Sequence, residues 1–142
     1  MIKRTQGFTL VELIVVIGIL AIFAAWAYPR FVDMETQARK ALVLSLRGAV
    51  QASASLAHSL WIARGYPATV DMEGNIITMI NGYPAEGSID DTLMDYSGFQ
   101  FVNAVTARFR KQGAPAPNTC MVTYADAPAG GKPAITAFTS GC

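Results

Sequence analysis

The sequence predicts an α+β chain: one long N-terminal α-helix, membrane-spanning in its first half, packed through its second half on a small antiparallel β-sheet. Three observations carry this. Between Phe8 and Tyr28, a run of 21 residues, only Thr9, Glu12 and Gly18 interrupt the apolar character. From there to Arg64, apolar residues recur at steps of three and four, as on one face of a helix. After Gly65 the chain changes to short apolar runs between glycines, prolines and pairs such as Glu73-Gly74 and Asn81-Gly82, the pattern of strands joined by turns.

The first run, at ~1.5 Å per residue, spans about 30 Å, the thickness of a bilayer's hydrocarbon core. Lys3 and Arg4 precede it, which keeps the start of the chain on the cytoplasmic side and sends the remainder outward. Trp26 and Tyr28 stand at its outer end as interfacial anchors. Pro29 removes the bond to the Ala25 carbonyl and predicts a kink, with the helix continuing beyond it. Glu35 and Arg39 follow in the favourable i,i+4 order. Leu42, Leu46, Ala49, Ser53, Ala57 and Leu60 form the expected stripe; Arg39, Lys40, Arg47, Gln51 and His58 fall off it, toward water. Arg64, Gly65 and Pro67 mark the stop, and Phe8 to Arg64 as one helix is about 85 Å long. Trp61, near its end, is expected to contact the sheet.

Beyond the helix, Ala68–Met72 and Asn75–Ile80 flank Glu73-Gly74 as a hairpin, and Asn81-Gly82-Tyr83-Pro84 is a second turn. Ile89–Leu93 reads as a short helical turn capped by Ser88. Phe99–Phe109 fits helix or strand equally, and Gly113–Asn118 reads as loop. Thr119–Tyr124 and Ala134–Thr139 read as two strands. As a hairpin they bring Cys120 near Cys142 at the open end. A disulfide there is the expected state for a domain outside the cytoplasm; one histidine and two distant cysteines make a poor zinc set.

Composition narrows the function. A length of 142 residues allows one domain beside the apolar helix. The positive mean hydropathy and 52% hydrophobic content come partly from the N-terminal run, so the remainder has an ordinary soluble composition. The net charge is +1, and without Lys3 and Arg4 nine basic residues face ten acidic ones; this gives no support for a nucleic-acid-coating surface. A secretory signal would have a shorter apolar core with its cleavage site after it. Here the run is too long for such a signal, so the apolar segment is expected to stay in the mature protein. No convincing set of acid, base and nucleophile is present, since His58 has no Ser or Cys partner in its sequence context; the chain does not read as an enzyme.

Glu12 is the anomaly. A carboxylate within a membrane run costs up to about 2.5–3.5 kcal/mol at the centre and less near an end, and such a residue reads as functional. Nothing basic lies nearby within the segment, which points to an amine from another copy of the chain as its partner.

Gly7-Phe8-Thr9-Leu10-Val11-Glu12 after a short basic leader resembles the prepilin cleavage motif of type IV pilins and their pseudopilin relatives. The resemblance implies cleavage between Gly7 and Phe8 by a prepilin peptidase, N-methylation of Phe8, and a meeting of Glu12 with the Phe8 amine of a neighbouring subunit. It divides the chain into a leader at 1–7, a transmembrane and polymerisation helix at 8–36 and a globular head at 37–142. The order of helix, sheet and C-terminal disulfide is similar to the type IV pilin fold. Pro29-Arg30-Phe31, the Asn81–Pro84 turn, Cys120–Tyr124 and Ser140-Gly141-Cys142 resemble mannose-sensitive haemagglutinin-type pilins. Many pilins have glycine where this chain has Ala21, so the Gly18–Pro29 stretch departs from the pattern.

Three further groups have bland readings. Thr9, Leu10 and Val11 read as packing. Asp90, Asp91 and Asp95 with Glu86 could offer oxygen ligands to Ca²⁺, but no glycine-punctuated calcium loop is present and a solvated loop is the favoured account. Arg108-Phe109-Arg110-Lys111 reads as a solvated helix end, with too few residues to argue for a nucleic-acid or receptor contact. No cofactor or metal is called for. The expected function is that of a pilus subunit, stored in the inner membrane and assembled with copies of itself and related pilins by the inner-membrane pilus machinery, for surface adhesion or a related role. The rivals are a pseudopilin of a type II secretion system and a membrane-anchored periplasmic binding module that never polymerises.

Overall fold

The computed structural model describes residues 8–142. Its one α-helix, α1 (Leu10–Ala63), is followed by strands β1 (Thr69–Met72), β2 (Asn75–Ile80), β3 (Tyr83–Pro84), β4 (Phe99–Asn103), β5 (Ala107–Lys111), β6 (Met121–Ala125) and β7 (Ala134–Phe138). Two compact units are present, the first ending at Thr36 and the second running Gln37–Cys142. The fold is α+β and type IV pilin-like, with all strand pairings antiparallel.

The first unit is helical from Leu10 onward, and α1 runs through Gly18 and Pro29. Its large apolar side chains are exposed: Leu10 is 73% exposed, Phe23 64% and Met34 67%. The helix is long and apolar enough to cross a membrane.

In the second unit the strands form two sheets rather than the single one expected, a three-stranded sheet in the order β1-β2-β3 and a four-stranded sheet in the order β4-β5-β6-β7. The turn between β1 and β2 has φ of 54° at Glu73 and 92° at Gly74, the positive values that a tight hairpin turn needs at both central residues. Asn81 and Gly82 repeat that pattern between β2 and β3, with Ile80 opposite Tyr83.

The Gln37–Ala63 stretch of α1 buries Val43, Leu46, Val50 and Ala54 against Phe99, Phe109, Val122 and Tyr124 of the larger sheet. Ala57 joins Val70, Met72, Ile77 and Met79 of the smaller one, with Leu60 and Trp61 beside them. The expected stripe is thus half right. Leu46 and Ala57 are buried, but Leu42 is 50% exposed, and Val43, Val50 and Ala54 occupy the places given to Leu42, Ala49 and Ser53. This stretch carries leucines and alanines on several flanks, so two registers step equally well by three and four. The buried one presents β-branched Val43 and Val50 and small Ala54 and Ala57, which let strands approach closely.

Three local expectations also change. Ser88 does not cap a helix: its hydroxyl donates to the Thr78 and Ala85 carbonyls, and the 3₁₀ turn Asp90–Thr92 begins at Ile89 without a side-chain cap. Phe99–Phe109 resolves into the β4–β5 hairpin, whose connection Ala104-Val105-Thr106 contains no glycine, proline or asparagine to announce it. Pro117–Thr119 form a short 3₁₀ turn that takes the last two residues of the stretch read as loop and Thr119, expected to open a strand; β6 begins at Met121 instead.

Candidate assembly and processing site

The start of α1 is closed by a reciprocal cap. The Glu12 N–H donates to Thr9 Oγ1 at 3.2 Å, and Glu12 Oε2 accepts from the Thr9 N–H at 3.0 Å and from its hydroxyl at 2.8 Å. The Thr9 carbonyl accepts the first helical bond, from Leu13. Thr9-Leu10-Val11-Glu12 is therefore a capping box, with threonine at the N-cap and glutamate three residues on. Thr9 does more than pack, a correction to its bland reading, and the T-x-x-E spacing ahead of an apolar run was the signal for it. An anion in the first helical turn also complements the helix dipole. Glu12 has donors within its own chain, and a carboxylate has room to accept further hydrogen bonds at Oε1.

Phe8, directly before this cap, is 76% exposed. Gly7, Lys3 and Arg4 lie outside the described residues, so the expectation of cleavage between Gly7 and Phe8 rests on the sequence alone. Around Glu12 the neighbouring positions Val11, Leu13, Val15 and Val16 are all exposed apolar side chains. The site is a carboxylate set among exposed apolar side chains, a surface that water does not favour.

The far end of the chain is pinned. Cys120 and Cys142 form a disulfide with Cα atoms 4.9 Å apart. Arg39 Nη1 donates to the Cys142 main-chain oxygen at 2.8 Å. The bond lies at the open end of the β6–β7 hairpin, whose register pairs Met121 with Phe138 and Ala125 with Ala134.

The remaining candidates disperse. Asp95 accepts from the Ser97 N–H and hydroxyl in a local turn. Glu86 exchanges hydrogen bonds with Asp126: each main-chain N–H donates to the other's carboxylate. Burial and then the Asp91 charge raise the Asp90 carboxyl above its ordinary value. Among the described residues no group of three or more His, Cys, Asp or Glu side chains is arranged to hold a metal. Arg108–Lys111 lie on β5 rather than at a helix end. Phe109 is buried, Arg108 and Arg110 occupy the opposite face, and Lys111 Nζ sits 5.4 Å from the centre of the Phe99 ring. His58 does not simply face water: it is half-buried, stacked on Tyr83 at 4.3 Å and on Trp61 at 5.6 Å. Trp61 itself packs beside the smaller sheet, where a sequence reading places it.

An apolar helix opened by a Thr–Glu cap and a disulfide-pinned antiparallel unit together make an α+β chain of the pilin-like type. Residues 2–28 match the family described as the prokaryotic N-terminal methylation motif. The chain is also similar to the type IV narrow pilus major component PilA5 of Thermus thermophilus, at 46% identity over 54 residues, which cover 38% of this chain and 47% of that one. The chain thus spans about half the length of the curated relative it matches. No solved structure matches it. The motif and the relative support a type IV pilin in its prepilin form.

Proposed function

We propose that this chain is the structural subunit of a type IV pilus. A prepilin peptidase cuts between Gly7 and Phe8, the new Phe8 amine is methylated, and the apolar helix holds the subunit in the inner membrane as a single-pass protein. The pilus machinery then moves that helix from lipid into the centre of an extracellular filament, where copies of this chain and related pilins surround it. Because lipid contacts are exchanged for helix–helix packing, the apolar surface stays out of water throughout. The head forms the outer face and carries any adhesion. The observation that supports this most is the apolar surface of α1 from Leu10 to Met34, exposed on every flank, with one carboxylate at its start.

Glu12 pairs with the Phe8 amine of a neighbour while keeping its Thr9 donors. Within an apolar bundle such a pair sets register more than it adds net stability, since removing two charges from water offsets most of their attraction. Glu12→Val should therefore insert in the membrane and lose its leader as the parent does, yet yield few filaments. Electron microscopy of sheared surface fractions, with mass spectrometry of the N-terminus, checks both halves. Filaments of normal length and abundance from the variant would refute the pairing, and an uncut Met1 in the parent strain would refute the processing.

A further inference from the structure

The second unit contains a groove that the assembly proposal does not use. It lies between one flank of the Gln37–Ala63 stretch of α1 and the loop joining β6 to β7. At one end Arg47, Gln51 and Ser55 face Lys132, Pro133 and Ile135 across a cavity of about 260 Å³. At the other, His58, Trp61 and Asn81 face residues 129–132 across an opening of about 600 Å³. Tyr83 and Lys132 line both, so the two adjoin. Their sizes approach or fall within the range of about 300–1,000 Å³ that holds small ligands.

The walls are fixed rather than loose. Asn81 Nδ2 donates to the Ala127 carbonyl at 2.7 Å, tying the β2–β3 turn to the start of the β6–β7 loop. His58 Nδ1 lies 2.7 Å from the Gly82 oxygen; a carbonyl only accepts, so Nδ1 carries a proton there. Gly82 has φ of 87°, and a Cβ on it would come within 2.7 Å of the Trp61 ring, so that ring lies directly against the turn. The order Trp61–His58–Tyr83 is thus a built aromatic stack, with Tyr83 at the junction of the two cavities.

The chemistry of the lining is one-sided. Arg47 and Lys132 are exposed cations, and neither cavity is lined by an Asp or Glu. Gln51 brings an amide. The Ser55 hydroxyl donates to the Gln51 carbonyl at 2.9 Å, which leaves its oxygen free to accept. Cations at the rim, amide and hydroxyl groups on the wall and an aromatic residue at the centre suit a ligand that has one carboxylate, many hydroxyls and an apolar C–H face.

We propose that this groove binds a carboxylated saccharide, a uronic acid unit of an oligosaccharide, with its carboxylate at Arg47 and Lys132, its hydroxyls at Gln51 and Ser55, and Tyr83 beside the sugar ring. A guanidinium is suited to a carboxylate because it can donate two parallel hydrogen bonds. A nucleic-acid strand fits less well. Two cations on a nearly neutral chain give little attraction for a polyphosphate, and His58 is already stacked with both Trp61 and Tyr83. Every residue in the proposal belongs to the second unit, whereas Phe8 and Glu12 belong to the first.

The test uses the full chain, unassembled in detergent, carrying Trp26→Phe so that Trp61 is the one remaining tryptophan. Titration with tetragalacturonate should give a saturable change in Trp61 emission, and maltotetraose, neutral and of the same length, should bind at least about tenfold more weakly. Arg47→Gln with Lys132→Gln should weaken tetragalacturonate about tenfold or more while leaving the thermal midpoint unchanged. Equal response to the neutral sugar, undiminished binding by the double variant, response to a short oligothymidylate in place of the uronate, or no saturation by ~10 mM would each overturn the proposal. Filament formation enters none of these readouts, so failure here leaves the assembly reading untouched.

Discussion

Along α1 from Leu10 to Met34, the large apolar side chains stand exposed on every flank, whereas between Gln37 and Ala63 Val43, Val50 and Ala57 are wholly buried and Leu42, Leu44 and Leu56 are exposed. The same backbone geometry serves both stretches, so the contrast lies in what each has to pack against. The later stretch has two sheets of its own chain. The earlier one leaves its large apolar side chains exposed, the surface that the proposed function assigns to lipid and to other helices. Hydrophobicity alone therefore does not locate the core; a register that a sheet can approach does.

The contrast is broken most strongly by truncating a side chain that the sheet covers. Leu46→Ala should lower the unfolding free energy of the second unit by about 2–5 kcal/mol, the lost transfer energy plus a residual cavity. Leu13→Ala, at a position 55% exposed, should leave that transition where it is. Denaturant unfolding in detergent, followed by Tyr and Trp near-ultraviolet circular dichroism, separates the two. Equal losses would mean that the first stretch also packs on the head.

Next in size is the pin at the end of the chain. Cys120 and Cys142, 22 positions apart, close a loop whose opening should cost about 3 kcal/mol on the chain-entropy account. Cys120→Ser with Cys142→Ser should lower the denaturant midpoint of the head, while α1 before Thr36 keeps its helical signal. A midpoint unmoved by the double variant and by reductant would show that the β6–β7 hairpin holds without the bond.

How much of this could be read from the chain depends on what kind of physics set each feature. The apolar run, the Glu73-Gly74 and Asn81-Gly82 turns and the last two strands are written in local chemistry, and they were legible. The buried register of α1 was not, because apolar residues flank it on more than one side and the choice is made by the sheets. The β4–β5 hairpin was hidden by a connection, Ala104-Val105-Thr106, without turn residues. The role of Thr9 is legible too, because T-x-x-E ahead of an apolar run is a local capping signal. The stack of Trp61, His58 and Tyr83 could not be read at all: it joins a helix to a turn more than 20 positions away, and no local period encodes it.

A smaller effect tests how the two sheets are joined. Tyr124, wholly buried on β6, donates its hydroxyl to the Pro84 carbonyl of β3. Burial foremost, then the charges of Asp126, Glu86 and Tyr83, raise the phenol well above its ordinary value, so it remains the donor into alkaline solution. Tyr124→Phe keeps the ring and leaves the buried Pro84 oxygen without that partner, for a loss of about 1–3 kcal/mol. Hydrogen exchange at the Met79 and Ala85 amides, the neighbours of β3, should quicken with the global loss of stability. An unchanged midpoint would mean that water replaces the phenol.

The smallest effect concerns Asp90, at the start of the 3₁₀ turn. Desolvation, then the neighbouring Asp91 charge, raises its carboxyl above the ordinary value. A carboxyl whose folded pKa exceeds its unfolded one binds its proton more tightly in the native state. Stability from this group is therefore full below the unfolded pKa and is lost as pH rises through the folded pKa. Above that window the ionised side chain is a cost that asparagine does not carry. Asp90→Asn should raise the thermal midpoint at neutral pH and lose its advantage near pH ~3, where the parent is already protonated. Because the side chain is partly open to solvent, the gain should stay below about 1 kcal/mol. A midpoint gain that is the same at both pH values would instead assign the effect to the asparagine amide and its hydrogen bonds, and would remove the charge of Asp91 from the account.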